Sequence, residues 1–393
     1  MFDCNNEFCC IYCGEYKTHD EQSLEHIWPS GLGGNYAPDF FRTDKVCKKC
    51  NNIAGLFVDA EFQKSQPISA ELFFSFFHFL DCKNIEAVPL IFMGKSRDAP
   101  DNDEVCEFWL GPSNETIYYF RKNDEKSLNH LAKGNPISRR KDKGRVYIDF
   151  CTENFYWILL AIKSVNVFFK KAQFRSLCVF DDPKFTRFFD HETDQSSKDR
   201  EFISLLKFSK TRHSYFEFPL DFGLRFQAKI ALGFGYKLFG EKYLNSDYAD
   251  TFRVCLKEGS FQKRNELFIY GKSLFELSNE FEKILTVPGC FTFHFGRVFD
   301  EAYLSVYLPT GKNFQIAISN EANKFSSDIF DRYGNEFAVV LVPGKKMFIG
   351  PFSSSKYYIH KQNGPKISEL NELETSYRTR EQLEYEIKRL SEI

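Results

Sequence analysis

Cys10-Ile-Tyr-Cys13 and Cys47-Lys-Lys-Cys50 are two Cys-x2-Cys stretches separated by the 33 residues 14–46. Each stretch forms a tight turn that aims two thiolates at one point, and Gly14 after the first pair suits such a turn. Two such turns supply the four sulfur ligands that tetrahedral zinc prefers. The spacing therefore predicts a structural Zn²⁺ held by all four cysteines, and this ion would join two segments that could not form a core alone.

The other cysteines do not extend this pattern. Of the 12 cysteines in the 393 residues, six lie within the first 50, and the rest are scattered singly. Cys4 and Cys9 form no Cys-x2-Cys pair, so we interpret them as free thiols or as neighbours of the zinc ligands. The sequence starts with no basic, apolar leader and has no apolar run of about 20 residues. We therefore expect a cytoplasmic protein with no membrane partner, whose cysteines form no disulfide framework.

The overall charge indicates no general affinity for nucleic acids. The chain has 52 Lys and Arg against 54 Asp and Glu, a net charge of −2, and the first 65 residues have 6 against 10, a net charge of −4. A nucleic-acid surface must therefore be local. Two basic clusters are candidates, and for the second a solvated hairpin loop is the alternative. They are Arg42, Lys45, Lys48 and Lys49 near the cysteines, and a later run that contains Arg139, Arg140 and Lys141.

Chemically useful side chains lie between and after the cysteine pairs. Glu25 and His26 are adjacent, a glycine-rich stretch follows at 31–34, and Asn51 comes directly after the last cysteine. Each feature alone is common in solvated loops. A carboxylate beside an imidazole, with an asparagine fixed next to a zinc ligand, can build a metal-assisted phosphodiesterase site.

The pattern Ser-x-Glu-His-Ile-x-Pro-x-Gly-Leu-Gly-Gly at 23–34, followed by Val-Cys-Lys-Lys-Cys-Asn-Asn-x-x-Gly at 46–55, resembles the HNH, or ββα-metal, endonucleases. It is closest to the subgroup with two Cys-x2-Cys pairs and Asn after the last Cys, as in phage junction resolvases of the endonuclease VII type. The resemblance covers about residues 8–62. It implies that Glu25 and His26 lie on a first strand, that residues 43–46 lie on a second, and that a helix begins near 48–51.

The resemblance also implies a role for each motif residue. His26 matches the general base that removes a proton from the attacking water, and Glu25 and Asn51 match the ligands of a catalytic divalent cation, Mg²⁺ or another. The sequence departs from the commoner family pattern in three places. The middle Asn of the family name has no clear match, since Arg42 and Thr43 occupy the expected stretch. Glu25 stands where Asp is usual, and Asn51 stands where many members have His.

The remainder of the chain matches no motif and predicts a larger mixed α/β region. Strand patterns lie at 87–92, 104–110, 116–120, 145–150, 291–297, 303–308, 314–318 and 337–348, and helical periods lie at 154–172, 225–243 and 248–258. A charged amphipathic segment at 367–390 predicts a C-terminal helix. We therefore predict an α+β protein with a zinc-stapled HNH module at 1–65 and an accessory region at 66–393 of one or two subdomains.

Three functions are compatible with these features. The first is a metal-dependent HNH endonuclease that hydrolyses DNA and is targeted or controlled by its C-terminal region, through a protein partner, self-association or a ligand, with bacterial or phage defence as an extension. The second is a zinc-stabilised nucleic-acid-binding protein with an inactive HNH site. The third is an interaction protein that uses a zinc ribbon. Glu25, His26 and Asn51 favour the first, because neither alternative needs all three.

Overall fold

The computed structural model describes residues 7–96, 101, 103–122, 144–180, 183–208, 220–258, 260, 262–263, 271–272, 284–362 and 364–391. The chain forms two compact units, and each joins separate segments. Unit 1 contains Met1–Phe62 and Pro219–Tyr377, and unit 2 contains Gln63–Phe218 and Arg378–Ile393. The α+β class predicted from the sequence is confirmed, with a small HNH-type module and a larger mixed α/β region.

The chain first passes from unit 1 to unit 2 between Phe62 and Gln63. The units do not follow a simple division into an N-terminal and a C-terminal part. Residues 219–377 belong to the same unit as the HNH segment. The physical reason is that the HNH segment shares its core with these residues. Its fully buried Trp28 and Phe41 pack on aromatic rings supplied by residues 226–295.

The HNH segment is a set of two hairpins followed by a helix. Its elements are β1 (Glu7–Cys9), β2 (Tyr16–Thr18), β3 (Gln22–His26), β4 (Arg42–Cys47) and α1 (Lys48–Ala54). The first cysteine pair lies in the β1–β2 connection, and β3 pairs antiparallel with β4. The chain continues from α1 through a π-helical turn, Gly55–Asp59, into α2 (Ala60–Lys64). The implied strand, strand, helix order is therefore present.

The connection between β3 and β4 folds tightly around Trp28. The indole nitrogen of Trp28 donates to the carbonyl of Leu32, and the amides of Leu32 and Gly34 both donate to the carbonyl of Pro29. Gly33 has φ of +94°, and a Cβ on Gly34 would lie 1.9 Å from the Trp28 carbonyl oxygen. Both glycines are therefore required by the loop, which explains the Gly-rich sequence after the motif histidine.

The rest of unit 1 is an antiparallel sheet with helices. The strands are β10 (Gly271–Lys272), β11 (Phe291–Val298), β12 (Glu301–Tyr307), β13 (Asn313–Ser319), β14 (Glu336–Val342) and β15 (Met347–Ser353), in the order β10-β13-β12-β11-β14-β15. The helices are α7 (Leu220–Phe239), α8 (Asp247–Lys257), α9 (Asp328–Tyr333), α10 (Ser354–Lys361) and α11 (Ser368–Ser376). The single strand predicted at 337–348 is wrong. It is a hairpin, because the chain turns at Pro343–Lys345 and Lys346 adopts φ of +55°.

Unit 2 contains a second sheet. Its strands are β5 (Ile91–Ser96), β6 (Glu104–Leu110), β7 (Thr116–Lys122), β8 (Arg145–Asp149) and β9 (Gln173–Ser176), in that order. Its helices are α3 (Gln66–Phe77), α4 (Phe155–Phe168), α5 (Pro183–Thr186), α6 (Asp194–Phe208) and α12 (Arg380–Ser391). The first four strands pair antiparallel, and β9 pairs parallel to β8 after the crossover through α4. The apolar core packs α3, α4 and α12 together.

The predicted C-terminal helix at 367–390 is two helices. α11 ends before Tyr377, whose backbone is extended, and α12 begins at Arg380. Thr379 and Gln382 form a reciprocal capping box, since each side chain binds the backbone amide of the other residue. The break coincides with the passage from unit 1 to unit 2. The Thr-x-x-Gln pattern is a helix-start signal that periodicity alone did not detect.

Replacing either of two glycines of the HNH segment by alanine tests this fold. Gly34→Ala should lower the free energy of unfolding of unit 1 by about 2–4 kcal/mol, because the added methyl group meets rigid backbone. Gly55→Ala is the matched control. Gly55 has helical φ and ψ and open space around its Cα. The free energy of unfolding of the Gly55→Ala variant should therefore stay the same or rise by up to about 1 kcal/mol. Scanning calorimetry of the full chain measures both changes, and equal effects would contradict the loop geometry.

Candidate functional site

Four cysteine sulfurs converge where the two hairpins meet α1. The Sγ atoms of Cys10, Cys13, Cys47 and Cys50 all lie within 4.8 Å of one another. Tetrahedral zinc with Zn–S bonds of about 2.3 Å needs sulfurs about 3.8 Å apart, so the cluster fits this ion. Burial raises the pKa of Cys13 to about 11, and the neighbouring Cys10 adds to this shift. The predicted four-cysteine cluster is therefore present in the fold.

Backbone groups and two basic side chains support the first cysteine turn. Gly14, with φ of +74°, donates its amide to the Cys10 carbonyl and closes the turn. From α8, Arg253 donates to the carbonyl of Ile11, and Lys257 donates to the carbonyl of Cys13. The Arg253 and Lys257 side chains donate to carbonyl oxygens and not to sulfur atoms. They therefore stabilise the turn and leave the four sulfurs for a metal ion.

Asn51 lies on the first turn of α1, one residue after the last cysteine of the cluster. Its amide nitrogen donates to the carbonyl of Leu24, at 3.0 Å, and to the hydroxyl of Ser23, at 3.1 Å. These bonds join the start of the helix to β3, two residues before His26. Because the amide donors face the strand, the amide oxygen is the atom of Asn51 suited to bind a hard cation.

His26 is the last residue of β3 and pairs across the hairpin with Arg42. Its side chain is half-buried, so one part of the imidazole is open to solvent. Burial lowers the pKa of His26 below its usual value. Glu25 opposes this shift, whereas the positive charges of Arg42 and Lys229 add to it. The ring is therefore neutral at neutral pH, which is the form that accepts a proton.

Glu25 is buried in a polar cluster rather than exposed to solvent. Its Oε1 accepts a hydrogen bond from the Tyr12 hydroxyl, at 2.9 Å, and an ion pair from the Lys229 ammonium, at 2.7 Å. Lys229 lies on α7, is fully buried, and also pairs with Asp59 at 2.9 Å. Both contacts of the Glu25 carboxylate use Oε1, so Oε2 is the oxygen suited to a cation.

Neither Lys229 nor Asp59 was identified as a site residue from the sequence. Asp59 lies on the π-helical turn with its side chain 14% exposed, and partial burial raises its pKa to about 7, against the opposing effect of Lys229. Burial alone would lower the pKa of Lys229, but Asp59 and Glu25 outweigh it and the pKa is raised. Lys229 is therefore a buried cation.

The predicted basic surface near the cysteines is partly engaged within the protein. Arg42 bonds Asp39, Lys48 donates to the carbonyl of Asp20, and Lys45 lies 3.9 Å from Glu241. Lys49 is exposed on α1. The second predicted cluster, Arg139, Arg140 and Lys141, lies outside the described residues.

Comparison with known proteins identifies the module. Residues 10–67 match the family model of an HNH endonuclease, and this range contains both cysteine pairs, Glu25, His26 and Asn51. No curated protein and no solved structure matches the chain. The resemblance inferred from the sequence is confirmed, so the chain carries an HNH endonuclease module, which indicates nuclease activity. Within the described part of the chain, no helix is long and apolar enough to cross a membrane.

Removing one sulfur tests the zinc centre. Cys47→Ser should reduce the bound zinc from about one equivalent to almost none and lower the melting temperature of unit 1 by about 10 °C or more, because metal-binding energy is folding energy here. Cys9→Ser is the matched control, since Cys9 is free and outside the cluster. Atomic absorption and calorimetry on protein purified without added metal measure both. Folded wild-type protein with no zinc would contradict the assignment.

Proposed function

We propose that the chain hydrolyses DNA phosphodiester bonds at the HNH module, with His26 as general base. The observation that carries this proposal is the bond between Asn51 and the carbonyl of Leu24. It ties the helix that follows the zinc cluster to the strand that ends in His26. A base and an amide oxygen on neighbouring elements can act on one phosphate, which the same residues on a flexible loop could not do.

His26 supports this role through its environment. A neutral imidazole at the end of a strand, open to solvent on one side, can accept the proton of a water molecule that attacks phosphorus. The lowered pKa of His26 keeps the ring in this form at neutral pH. Arg42 lies opposite in the hairpin and carries a permanent positive charge, so we assign it to a phosphate oxygen near the base.

A divalent cation, Mg²⁺ or a similar ion, would be held by Asn51 and by the free oxygen of Glu25. Both are oxygen ligands of the kind that Mg²⁺ prefers. When bound, such an ion neutralises charge that develops on the phosphate and on the leaving oxygen. Tyr12 and Lys229 hold the other oxygen of Glu25 and so fix the direction of the carboxylate.

The rest of the chain is proposed to target or control this site. Among the described residues, the four cysteines form the one group of His, Cys, Asp or Glu side chains with metal-binding geometry. This finding supports an accessory role for the region outside the HNH module, through a partner, self-association or a ligand. A defence effector in which that region senses its target is the extension of this proposal.

A catalytically inactive, nucleic-acid-binding HNH module is the second candidate. The observation that favours it is the ion pair between Glu25 and Lys229, because a carboxylate that already faces an ammonium group attracts a divalent cation less strongly. Cleavage assays separate the two candidates, since only the first predicts metal-dependent cutting.

Replacing the base tests the nuclease. His26→Ala should lower the rate of plasmid cleavage in Mg²⁺ by about 10²–10⁴-fold, while zinc content and thermal stability stay unchanged. His19→Ala is the matched control, because His19 is an exposed histidine of the same segment. Cleavage is measured with and without EDTA. A variant that cuts as fast as the wild-type protein would exclude His26 as the base.

Neutralising one exposed cation tests DNA contact near the site. Lys49→Ala should weaken DNA binding and reduce the slope of log affinity against log salt by about 0.9, the value for one lost phosphate contact. Lys356→Ala, an exposed lysine on α10, is the control and should leave the slope unchanged. Fluorescence anisotropy over a range of salt concentrations measures the slope. Equal slopes in both variants would remove Lys49 from the interface.

A further inference from the structure

The side chain of Lys229, which lies on α7 outside the HNH segment, contacts the end of β3, the strand that carries His26. The Lys229 ammonium contacts four oxygens, two from carboxylates and two from the backbone. The carboxylate contacts are Glu25 Oε1, at 2.7 Å, and Asp59 Oδ2, at 2.9 Å. The backbone contacts are the carbonyls of His26, at 2.9 Å, and Ile27, at 3.2 Å.

We propose that Lys229 is a positioning residue of the HNH site. It orients the Glu25 carboxylate toward a catalytic cation and fixes the end of the strand that carries His26. This inference rests on the proposed nuclease function and deepens it. It also means that the HNH site is completed by a helix about 200 residues further along the chain.

The backbone contacts show why the strand end depends on this lysine. The β3–β4 ladder ends at the pair of His26 and Arg42, so the His26 carbonyl lies at the edge of the hairpin. Its donor is the ammonium of Lys229, which also donates to the next carbonyl, that of Ile27. A buried carbonyl that loses its donor pays a desolvation cost, so removing the ammonium should loosen this end of the strand.

The contacts to carboxylates explain the effect on a cation. Residues that hydrogen-bond a metal-ligating carboxylate set its orientation, and their loss typically weakens metal binding by about 10–100-fold. Lys229 and Tyr12 both bind Oε1 of Glu25. Removing the ammonium leaves one hydroxyl to hold the carboxylate and leaves Asp59 without its buried counter-charge.

The packing of α7 on the HNH segment places the Lys229 ammonium at the end of β3. Gly233 lies one turn after Lys229, and a Cβ at Gly233 would lie 2.6 Å from the Ile27 side chain. The same helix face packs Phe226 on Trp28 and Phe234 on Phe41. Small and aromatic residues on this face therefore seat the helix against the HNH hairpin, at the distance that Lys229 requires.

The test compares Lys229→Met, Lys229→Gln and Lys229→Arg in the full chain with Lys237→Met. Lys237 lies two turns further along α7, is half-exposed, and serves as the matched control. Three properties are measured on each protein: zinc content, Mn²⁺ affinity by calorimetry, and hydrogen exchange of the backbone amides in residues 22–29. The last two report on the site without any cleavage assay.

Lys229→Met should retain zinc, bind Mn²⁺ about 10–100-fold more weakly, and exchange residues 22–29 faster than the wild-type protein. Lys229→Arg should restore most of the affinity, because a guanidinium group can bind the same carboxylate. Lys237→Met should match the wild-type protein. If Lys229→Met does not fold, Lys229→Gln, which keeps polar donors without the charge, provides the same comparison.

Wild-type Mn²⁺ affinity and wild-type exchange in the folded Met or Gln variant would overturn the proposal. The failure of the nuclease proposal looks different. If the wild-type chain neither binds Mn²⁺ nor cuts DNA, the proposed function fails. In that case the exchange of residues 22–29 alone decides whether Lys229 holds the strand end, and an unchanged exchange rate overturns that part too.

Discussion

The convergence of four cysteine sulfurs determines where the other parts of the HNH module lie. Cys47 ends β4, and its sulfur accepts the amide of Cys50 at the start of α1, so the helix begins at a fixed point. Asn51 follows at once and binds back to β3. A zinc ion that joins the two cysteine turns therefore also sets the spacing between the helix and the strand that carries His26.

This constraint is not sufficient for a stable module. The loop after His26 buries Trp28 against Phe226, Phe291 and Phe293, none of which belongs to the HNH segment. Aromatic rings packed edge to face contribute beyond the area that they bury. The HNH segment thus takes its core from residues 219–377, which explains why these two parts of the chain form one unit.

The features predicted correctly from the sequence are those with a local cause. Cysteine spacing identified the cluster, and the motif placed Glu25 and His26 on a strand with a helix starting near Asn51. The features that were missed have distant causes. Lys229 lies in a helical pattern that contains no motif to distinguish it from other lysines. Only the tertiary fold brings it to Glu25. Asp59 likewise meets Lys229 only through the tertiary fold.

The departure of Glu25 from the commoner Asp has a structural consequence in this fold. A glutamate carries one more methylene than an aspartate, so its carboxylate extends further from β3. In this chain Oε1 reaches a buried ammonium and a buried hydroxyl. The longer side chain and the lysine on α7 therefore form one arrangement, in which the carboxylate of Glu25 is held by a part of the chain that the local motif does not contain.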